Sequence, residues 1–262
     1  MTQGRLAIVT LAATLAACGR SENGNDARDA SVDTIAEAAF TSRPGLSPYR
    51  EIELTESGRL EGDVRLESSA RDTLVVVTRN ADLCGDRIPE GAIVAPQGGL
   101  MNVVVWLSDA REGKALPDSR RFEVTNSRCR LDPRVQGVIV GGTLNVKSAD
   151  PVVHETVIRV SGVTEVLEAV TQNGDGQVVP LEKVLARPLR LELSCRTHPW
   201  TQGWIHVFDH PYFVVSAPNG RFVLDSIPPG EYTMRTWHER LGGTTREIKV
   251  ESGGITRVEV KY

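Results

Sequence analysis

The stretch LRLELSCRTHPWTQGWIHVFDHPYFVV, Leu189–Val215, decides the fold because it holds three short apolar segments separated by turn residues. The segments LRLEL, WIHVF and YFVV have the length and composition of β-strands, and Pro, Gly and Asp lie between them. Within WIHVFDH, strand alternation puts His206 and His210 on one face and Ile205 and Val207 on the other. Both faces are largely apolar, so we expect this strand to be covered on both sides.

Similar segments recur from about Pro48 to the end of the chain, among them TLVVVT, NVVVWL, ETVIRV, RFVL, REIKV and TRVEV. Glycine, proline, asparagine and aspartate separate them at close spacing, which is typical of β-sandwiches and barrels. Helix-like patterns occur only in DTIAEAAF, Asp33–Phe40, and in VTEVLEAV, Val163–Val170. The sequence therefore predicts an all-β fold.

Composition and motifs exclude several functions. The 262 residues carry a net charge of -4, whereas nucleic-acid binding requires a concentrated basic surface, so no nucleic-acid partner is expected. The chain has no G-x-S-x-G, H-E-x-x-H or P-loop motif, and its carboxylates are scattered rather than paired. The prediction is a protein that is not an enzyme, with hydrolysis by a histidine cluster as the open alternative.

The N-terminus predicts export. Residues 1–17 contain Arg5 followed by an apolar run of signal-peptide length, too short to span a bilayer. The run ends in LAAC, which resembles a bacterial lipobox and implies lipidation of Cys18; the alternative is an ordinary secretory signal with an accidental cysteine. Residues 18–47 are then the lipidated cysteine and a polar tether. Gly19 favours the outer membrane, so we expect a lipid-anchored protein of the bacterial cell envelope that faces the periplasm.

Three cysteines remain after Cys18 in an oxidising compartment, which is an odd number. One pair can form a disulfide, and Cys84 with Cys129 is the simplest pairing. The third thiol, Cys195, needs protection from oxidation, and a bound metal would provide it.

The segment APNGRFVLDSIPPGEYTMRTWHERLGGTTREIKV, with turns at Asn219-Gly220 and Pro228-Pro229-Gly230, resembles a carboxypeptidase regulatory-like (transthyretin-like) β-sandwich. The opening strands of such a domain are similar to GRLEGDVRL and GGLMNVVVWL far upstream. The resemblance implies a split sandwich made of residues 48–118 and 211–262, with residues 119–210 inserted. Two β-domains in sequential order are the alternative.

In the inserted segment, GGTLNVKSADPVVHETVIRV has a polar turn before His154, and LRLELSCRTHPW follows with Cys195 and His198 just after a strand. This pattern resembles a cupredoxin, and the resemblance implies a Greek-key sandwich. Blue-copper centres use two imidazoles and one thiolate in a near-trigonal plane with a weak axial ligand. The resemblance therefore implies one type 1-like copper ion bound by His154, Cys195 and His198.

A group of secreted bacterial cupredoxin-like proteins with carboxypeptidase regulatory-like segments shares further motifs: Cys-x-x-His-Pro-Trp-Met, His-Pro-Tyr-Phe and Trp-His-Glu. In this chain they correspond to residues 195–201, 210–213 and 237–239. The likeness covers most of residues 58–262, with one departure: Thr201 stands where the group has methionine. Three consequences are open. The copper would be three-coordinate, or the site would have lost copper. Alternatively, another group would serve as the axial ligand: Met101, Met234, a histidine or a backbone oxygen.

The remaining polar and aromatic residues of these motifs are expected to support the site. Trp200 and Thr201 lie in the candidate copper loop, and His206, His210 and His238 are expected to be hydrogen-bonded structural residues, with a second metal site as the alternative. The predicted function is single-electron transfer to a redox partner protein, or copper storage or delivery. A metal-free β-sandwich for binding or adhesion at the cell envelope is the competing class.

Overall fold

Short strands form throughout the computed structural model, which describes residues 48–174 and 176–262. In chain order they are β1 (Arg50–Glu51), β2 (Gly58–Arg65), β3 (Leu74–Val76), β4 (Arg87–Pro89), β5 (Val104–Leu107), β6 (Glu112–Gly113), β7 (Arg121–Ser127), β8 (Arg130–Asp132), β9 (Val135–Ile139), β10 (Thr143–Ser148), β11 (His154–Val160), β12 (Val166–Gln172), β13 (Val178–Leu181), β14 (Leu189–Cys195), β15 (Gln202–Phe208), β16 (Phe213–Val215), β17 (Arg221–Ile227), β18 (Gly230–His238), β19 (Gly242–Val250) and β20 (Ile255–Lys261). One helical turn, α1 (Ala81–Cys84), and one 3-10 turn, Pro96–Gly98, accompany them. The predicted all-β sandwich class is confirmed.

Strands β7–β15 form what we call the inner sandwich. Its two sheets have the strand orders β13-β10-β7-β8 and β12-β11-β14-β15-β9. Alternate residues of each strand meet in a core that contains Leu144, Val146, Ile158, Leu191 and Leu193. These residues have little or no exposed surface, because strand alternation sends every second side chain into the space between the sheets.

The outer sandwich is formed by strands from both ends of the described chain. Its sheets have the orders β16-β5-β18-β19 and β17-β2-β20, so β2 and β5 pair with strands that lie more than a hundred residues later. Its core includes Leu60, Leu107, Tyr212 and Met234. The assignment of residues 48–118 and 211–262 to a carboxypeptidase regulatory-like domain stays a prediction.

The two sandwiches pack through an aromatic cluster on the outward face of β15. The rings of Phe208 and Phe213 stack with centroids 4.4 Å apart, and Trp106 lies 5.9 Å from Phe208. Ile205 and Val207, on the opposite face of β15, belong to the inner core. The strand is thus covered on both sides, as its apolar faces predict.

The helical expectation for Val163–Val170 is wrong, because most of that segment forms β12. Hydrogen bonds to β11 pair Val170 with Thr156 and Gln172 with His154, and they bury Val170 in the inner core. Tertiary pairing here overrides the local helix-like pattern. Asp33–Phe40, Cys18 and the predicted signal and tether lie outside the described residues. Among the described residues, no helix has the length and apolar character needed to cross a membrane.

Candidate metal centre

Strand pairing brings the three predicted ligands together. His154 begins β11 and Cys195 ends β14, and the antiparallel register places Thr156 opposite Cys195. His154 lies two residues before Thr156 and therefore on the same face of the sheet. His198 follows in the turn that connects β14 to β15. All three side chains are buried.

The three donor atoms form a nearly isosceles triangle. Sγ of Cys195 is 3.7 Å from Nδ1 of His154 and 3.7 Å from Nδ1 of His198, and the two nitrogens are 3.0 Å apart. The centre of the circle through these three atoms lies about 2.0 Å from each, close to protein metal–imidazole and metal–thiolate bond lengths of about 2.0–2.3 Å. The residues therefore fit one metal ion in a trigonal set of two nitrogens and one sulfur.

A buried carboxylate orients His154. Nε2 of His154 lies 3.0 Å from Oδ2 of Asp150, and Asp150 also accepts hydrogen bonds from the backbone N–H groups of Arg128 (2.6 Å) and Cys129 (2.8 Å). An ionised carboxylate only accepts hydrogen bonds, so it favours the tautomer with the proton on Nε2. The Nδ1 lone pair of His154 is then available to a metal, as in carboxylate–histidine–metal arrangements.

The side chain of Asn80 orients the imidazole of His198. Nε2 of His198 lies 3.1 Å from Oδ1 of Asn80, whose amide oxygen accepts the Nε2 proton and leaves Nδ1 free. Asn80 has φ 53° and ψ 40° and precedes α1, a left-handed conformation that asparagine tolerates better than most residues. Both imidazoles are therefore held with Nδ1 toward Cys195.

Hydrogen bonds favour the thiolate form of Cys195. Burial raises the pKa of the thiol, but the side chains of His154 and Thr197 and the backbone of His198 and Glu155 around the sulfur outweigh it and lower the pKa below its ordinary value. Oγ1 of Thr197 lies 3.4 Å from the sulfur while accepting a bond from the Glu155 N–H. The sulfur is thus surrounded by polar groups.

Burial keeps His198 neutral. Together with a smaller contribution from the neighbouring His154, it lowers the pKa of His198 to about 4. A neutral imidazole is the form that binds metal ions, so His198 presents a ready nitrogen at neutral pH.

The position of the absent methionine is not filled by Thr201. The Thr201 hydroxyl donates to the backbone carbonyl of Cys129, so it is occupied in a structural hydrogen bond. Met234 is wrong as an axial candidate, because it lies in the core of the outer sandwich. Among residues 48–174 and 176–262, no fourth histidine, cysteine or carboxylate joins the group of His154, Cys195 and His198.

Cys84 and Cys129 form a disulfide that lies beside the centre. Their sulfurs are within 4.8 Å of a ring nitrogen of His198. The bond joins α1 to the turn between β7 and β8, and Trp200 packs against it with its ring 5.4 Å from that of His198. The disulfide and Trp200 together cover His198. Sequence reasoning paired these cysteines but did not place them next to the metal ligands.

The other three histidines lie away from the ligand cluster. His206 packs against Trp237 with ring centroids 4.6 Å apart. Nδ1 of His210 accepts the backbone N–H of Tyr212, and Nδ1 of His238 accepts that of Arg240. Burial lowers the pKa of all three. All three are thus in packed surroundings, and His210 and His238 accept backbone hydrogen bonds there.

The Trp-His-Glu motif lies at the contact between the sandwiches. Glu239, whose side chain is fully buried, accepts two hydrogen bonds from the guanidinium of Arg134 at 2.6 and 2.7 Å. Arg134 also covers the ring of Trp204 at 5.1 Å. This ion pair connects β18 of the outer sandwich with the start of β9 in the inner one.

Asp150 and Asn80 are the site residues that sequence reasoning did not assign. The polar turn before His154 contains Asp150, so its closeness in sequence was a usable signal. Asn80 lies 118 residues before His198, and nothing in its local sequence distinguishes it from any other turn asparagine.

Comparison with known proteins gives partial structural matches. No protein-family model and no curated protein matches the chain. A Cu-containing nitrite reductase (NirK) from Thermus scotoductus SA-01 is similar at 23% identity over 37% of this chain and 24% of that chain, with a TM-score of 0.29. The chain thus spans about a quarter of the length of that enzyme.

Two smaller proteins are similar over most of their own length. A purple cupredoxin from Nitrosopumilus maritimus matches at 15% identity over 33% of this chain and 99% of that chain, with a TM-score of 0.29. Amicyanin from Paracoccus versutus matches at 13% identity over 36% and 85%, also with a TM-score of 0.29.

Proposed function

We propose that this protein binds one copper ion through His154, Cys195 and His198 and passes single electrons. The observation that supports this most directly is the triangle of Nδ1, Nδ1 and Sγ atoms with sides of 3.0, 3.7 and 3.7 Å. A soft thiolate with two imidazoles accepts both Cu(I) and Cu(II), whereas structural zinc sites take four protein ligands.

The chain's own residues provide rigidity around this donor set. Asp150 and Asn80 fix the two imidazole rings, and the disulfide and Trp200 cover His198. Because these contacts do not depend on the charge of the metal, the donor atoms are held in one arrangement for both oxidation states. When copper is bound it supplies the one-electron couple, and the buried pocket limits the access of water.

The test is a titration of the purified full-length protein with Cu(II), followed by visible absorption. We expect an intense thiolate-to-copper band that saturates at one equivalent and disappears in Cys195→Ser. Asp118→Asn, at an exposed position, is the matched control and should keep the band. If no such band forms, the proposal is wrong and the metal-free binding module is favoured. If Cys195→Ser binds copper equally well, the proposed ligand set is wrong.

Voltammetry of the copper-bound protein distinguishes an electron-transfer function from copper storage or delivery. A reversible one-electron wave, with the metal retained in both states, supports an electron carrier that works with a redox partner protein. Release of the metal on reduction would instead indicate storage or delivery.

We further propose that the protein is anchored in the cell envelope, on the periplasmic side, by lipid on Cys18. The apolar run and the LAAC sequence support this location. Cys18→Ser should move the protein from the membrane fraction to the soluble fraction, and unchanged membrane association would contradict the anchor.

A further inference from the structure

A cavity lined by arginines and aromatic side chains lies between the two sandwiches. It has a volume of about 310 Å³ and lies between the outward face of β14 and β15 and the sheet that contains β5 and β18. Trp106 and Phe208 form an apolar part of the cavity wall. Three arginines also line the cavity: Arg111, Arg190 and Arg235. The three arginines come from three separate parts of the chain.

These arginines have unused hydrogen-bonding capacity. The Nε atoms of Arg111, Arg190 and Arg235 are each buried, and none has a hydrogen-bond partner within the described parts of the chain. Arg111 donates from another nitrogen to the Ser108 carbonyl, and Arg190 lies over the Trp237 ring at 4.9 Å. A buried donor without an acceptor is unfavourable, so three around one cavity indicate a missing acceptor.

The excess of positive charge around the cavity also indicates a missing anionic partner. Within residues 48–174 and 176–262, no carboxylate forms an ion pair with Arg111, Arg190 or Arg235, although other arginines such as Arg134 and Arg196 do form them. Asp209 is the acidic residue in the lining, so three guanidinium groups face one carboxylate. Burial also lowers the pKa of Arg190, against a smaller opposing contribution from Glu192.

We propose that this cavity binds a small organic anion through a carboxylate or phosphate group held by Arg111, Arg190 and Arg235. Planar guanidinium groups bind both kinds of oxyanion with paired N–H donors. Trp106 and Phe208 would contact the apolar part of the ligand. The volume is at the small end of ligand pockets, which limits the ligand to a small molecule.

This anion site is separate from the metal centre. Arg190 and Cys195 are on the same strand, β14, five residues apart, which corresponds to about 17 Å along an extended strand. Their side chains also face opposite sides of the sheet, because the separation is an odd number of residues. Loss of anion binding therefore leaves the copper ligands in place, and the two proposals can fail independently.

The test is isothermal titration calorimetry of the purified full-length protein in chloride buffer, with inorganic phosphate as one probe and succinate as the other. We expect saturable binding of at least one probe at one site per chain. Arg235→Gln should weaken it by about tenfold or more, since it removes charged donors. Arg221→Gln, at an exposed arginine outside the cavity, should leave it unchanged.

Preference between the probes identifies the anionic group as phosphate or carboxylate. If neither probe binds saturably, or if Arg235→Gln and Arg221→Gln behave alike, the proposal is overturned. Arg111→Gln provides a second variant if Arg235→Gln does not fold. The urea denaturation midpoint of each variant serves as the folding control, because it depends neither on the anion nor on copper.

Discussion

Nε2 of His154 and Oδ2 of Asp150 are 3.0 Å apart in a region where both side chains are buried. This contact turns the imidazole so that its other nitrogen faces the Cys195 sulfur. The carboxylate in turn is held by two backbone N–H groups of the β7–β8 turn. The orientation of one metal ligand thus depends on a turn that lies about twenty-five residues earlier in the chain.

Replacing this carboxylate should weaken the metal site. We expect Asp150→Asn to lower copper affinity by about 10–100-fold, because the amide no longer fixes the tautomer of His154. Competition with a chelator, read from the charge-transfer band, measures the change. Asp118→Asn is the control for loss of a carboxylate, and equal affinity in the two variants would contradict the orienting role of Asp150.

The second prediction concerns Asn80 and separates its backbone role from its side-chain role. Asn80→Gly keeps the left-handed conformation but removes the acceptor for His198, whereas Asn80→Asp keeps both. We expect the glycine variant to bind copper about tenfold more weakly and the aspartate variant to bind at least as tightly as the parent. If the glycine variant binds copper as tightly as the parent, the left-handed conformation is sufficient and the acceptor for His198 does not matter.

The third prediction concerns the disulfide between Cys84 and Cys129, which are 45 residues apart in sequence. Replacing both cysteines with alanine should lower the free energy of unfolding by about 4 kcal/mol, the value for a closed loop of this length. Urea denaturation of parent and variant measures it. Because the disulfide holds α1, and Asn80 directly precedes α1 next to the site, we also expect weaker copper binding. An unchanged urea midpoint would contradict a stabilising role.

The fourth prediction concerns acid stability. The pKa of His210 and that of His238 are lowered to about 4 by burial, from an ordinary value of 6.5. Between these two pH values the unfolded chain binds more protons than the folded chain. Stability is therefore complete above about pH 6.5 and decreases as the pH falls toward 4. Urea midpoints measured from pH 7.5 to 4 should show this decrease.

His210→Asn identifies the contribution of one group. An asparagine oxygen can still accept the Tyr212 N–H, but it does not titrate in this range. The slope of stability against pH should decrease by up to about 1.4 kcal/mol per pH unit. Arg221→Gln is the control and should keep the slope of the parent. If His210→Asn has the same slope of stability against pH as the parent, folding does not lower the pKa of His210.

Local sequence was sufficient for part of the site. Cys195 and His198 are three residues apart in one turn, so the segment that contains them predicted their closeness. His154 was predicted through resemblance, and the register of β11 with β14 places it beside Cys195. The segment Val163–Val170 shows the limit: its local pattern was helix-like, but its hydrogen bonds are made with a neighbouring strand.

Other relationships had no local signal at all. Asn80 and His198 are 118 residues apart, and Arg134 and Glu239 are 105 apart. Arg111, Arg190 and Arg235 are unremarkable arginines in sequence and become one cationic cluster only when the two sandwiches pack together.

The amino-acid sequence by itself determined that this protein is built from short strands and that one turn concentrates a thiol and an imidazole. It could do so because turn residues and side-chain alternation act over a few neighbouring residues. Only the tertiary structure decided which polar groups orient the imidazoles and that three arginines surround one cavity. Those relationships depend on which strands pair, and pairing is decided by the joint burial of apolar surface across the whole chain.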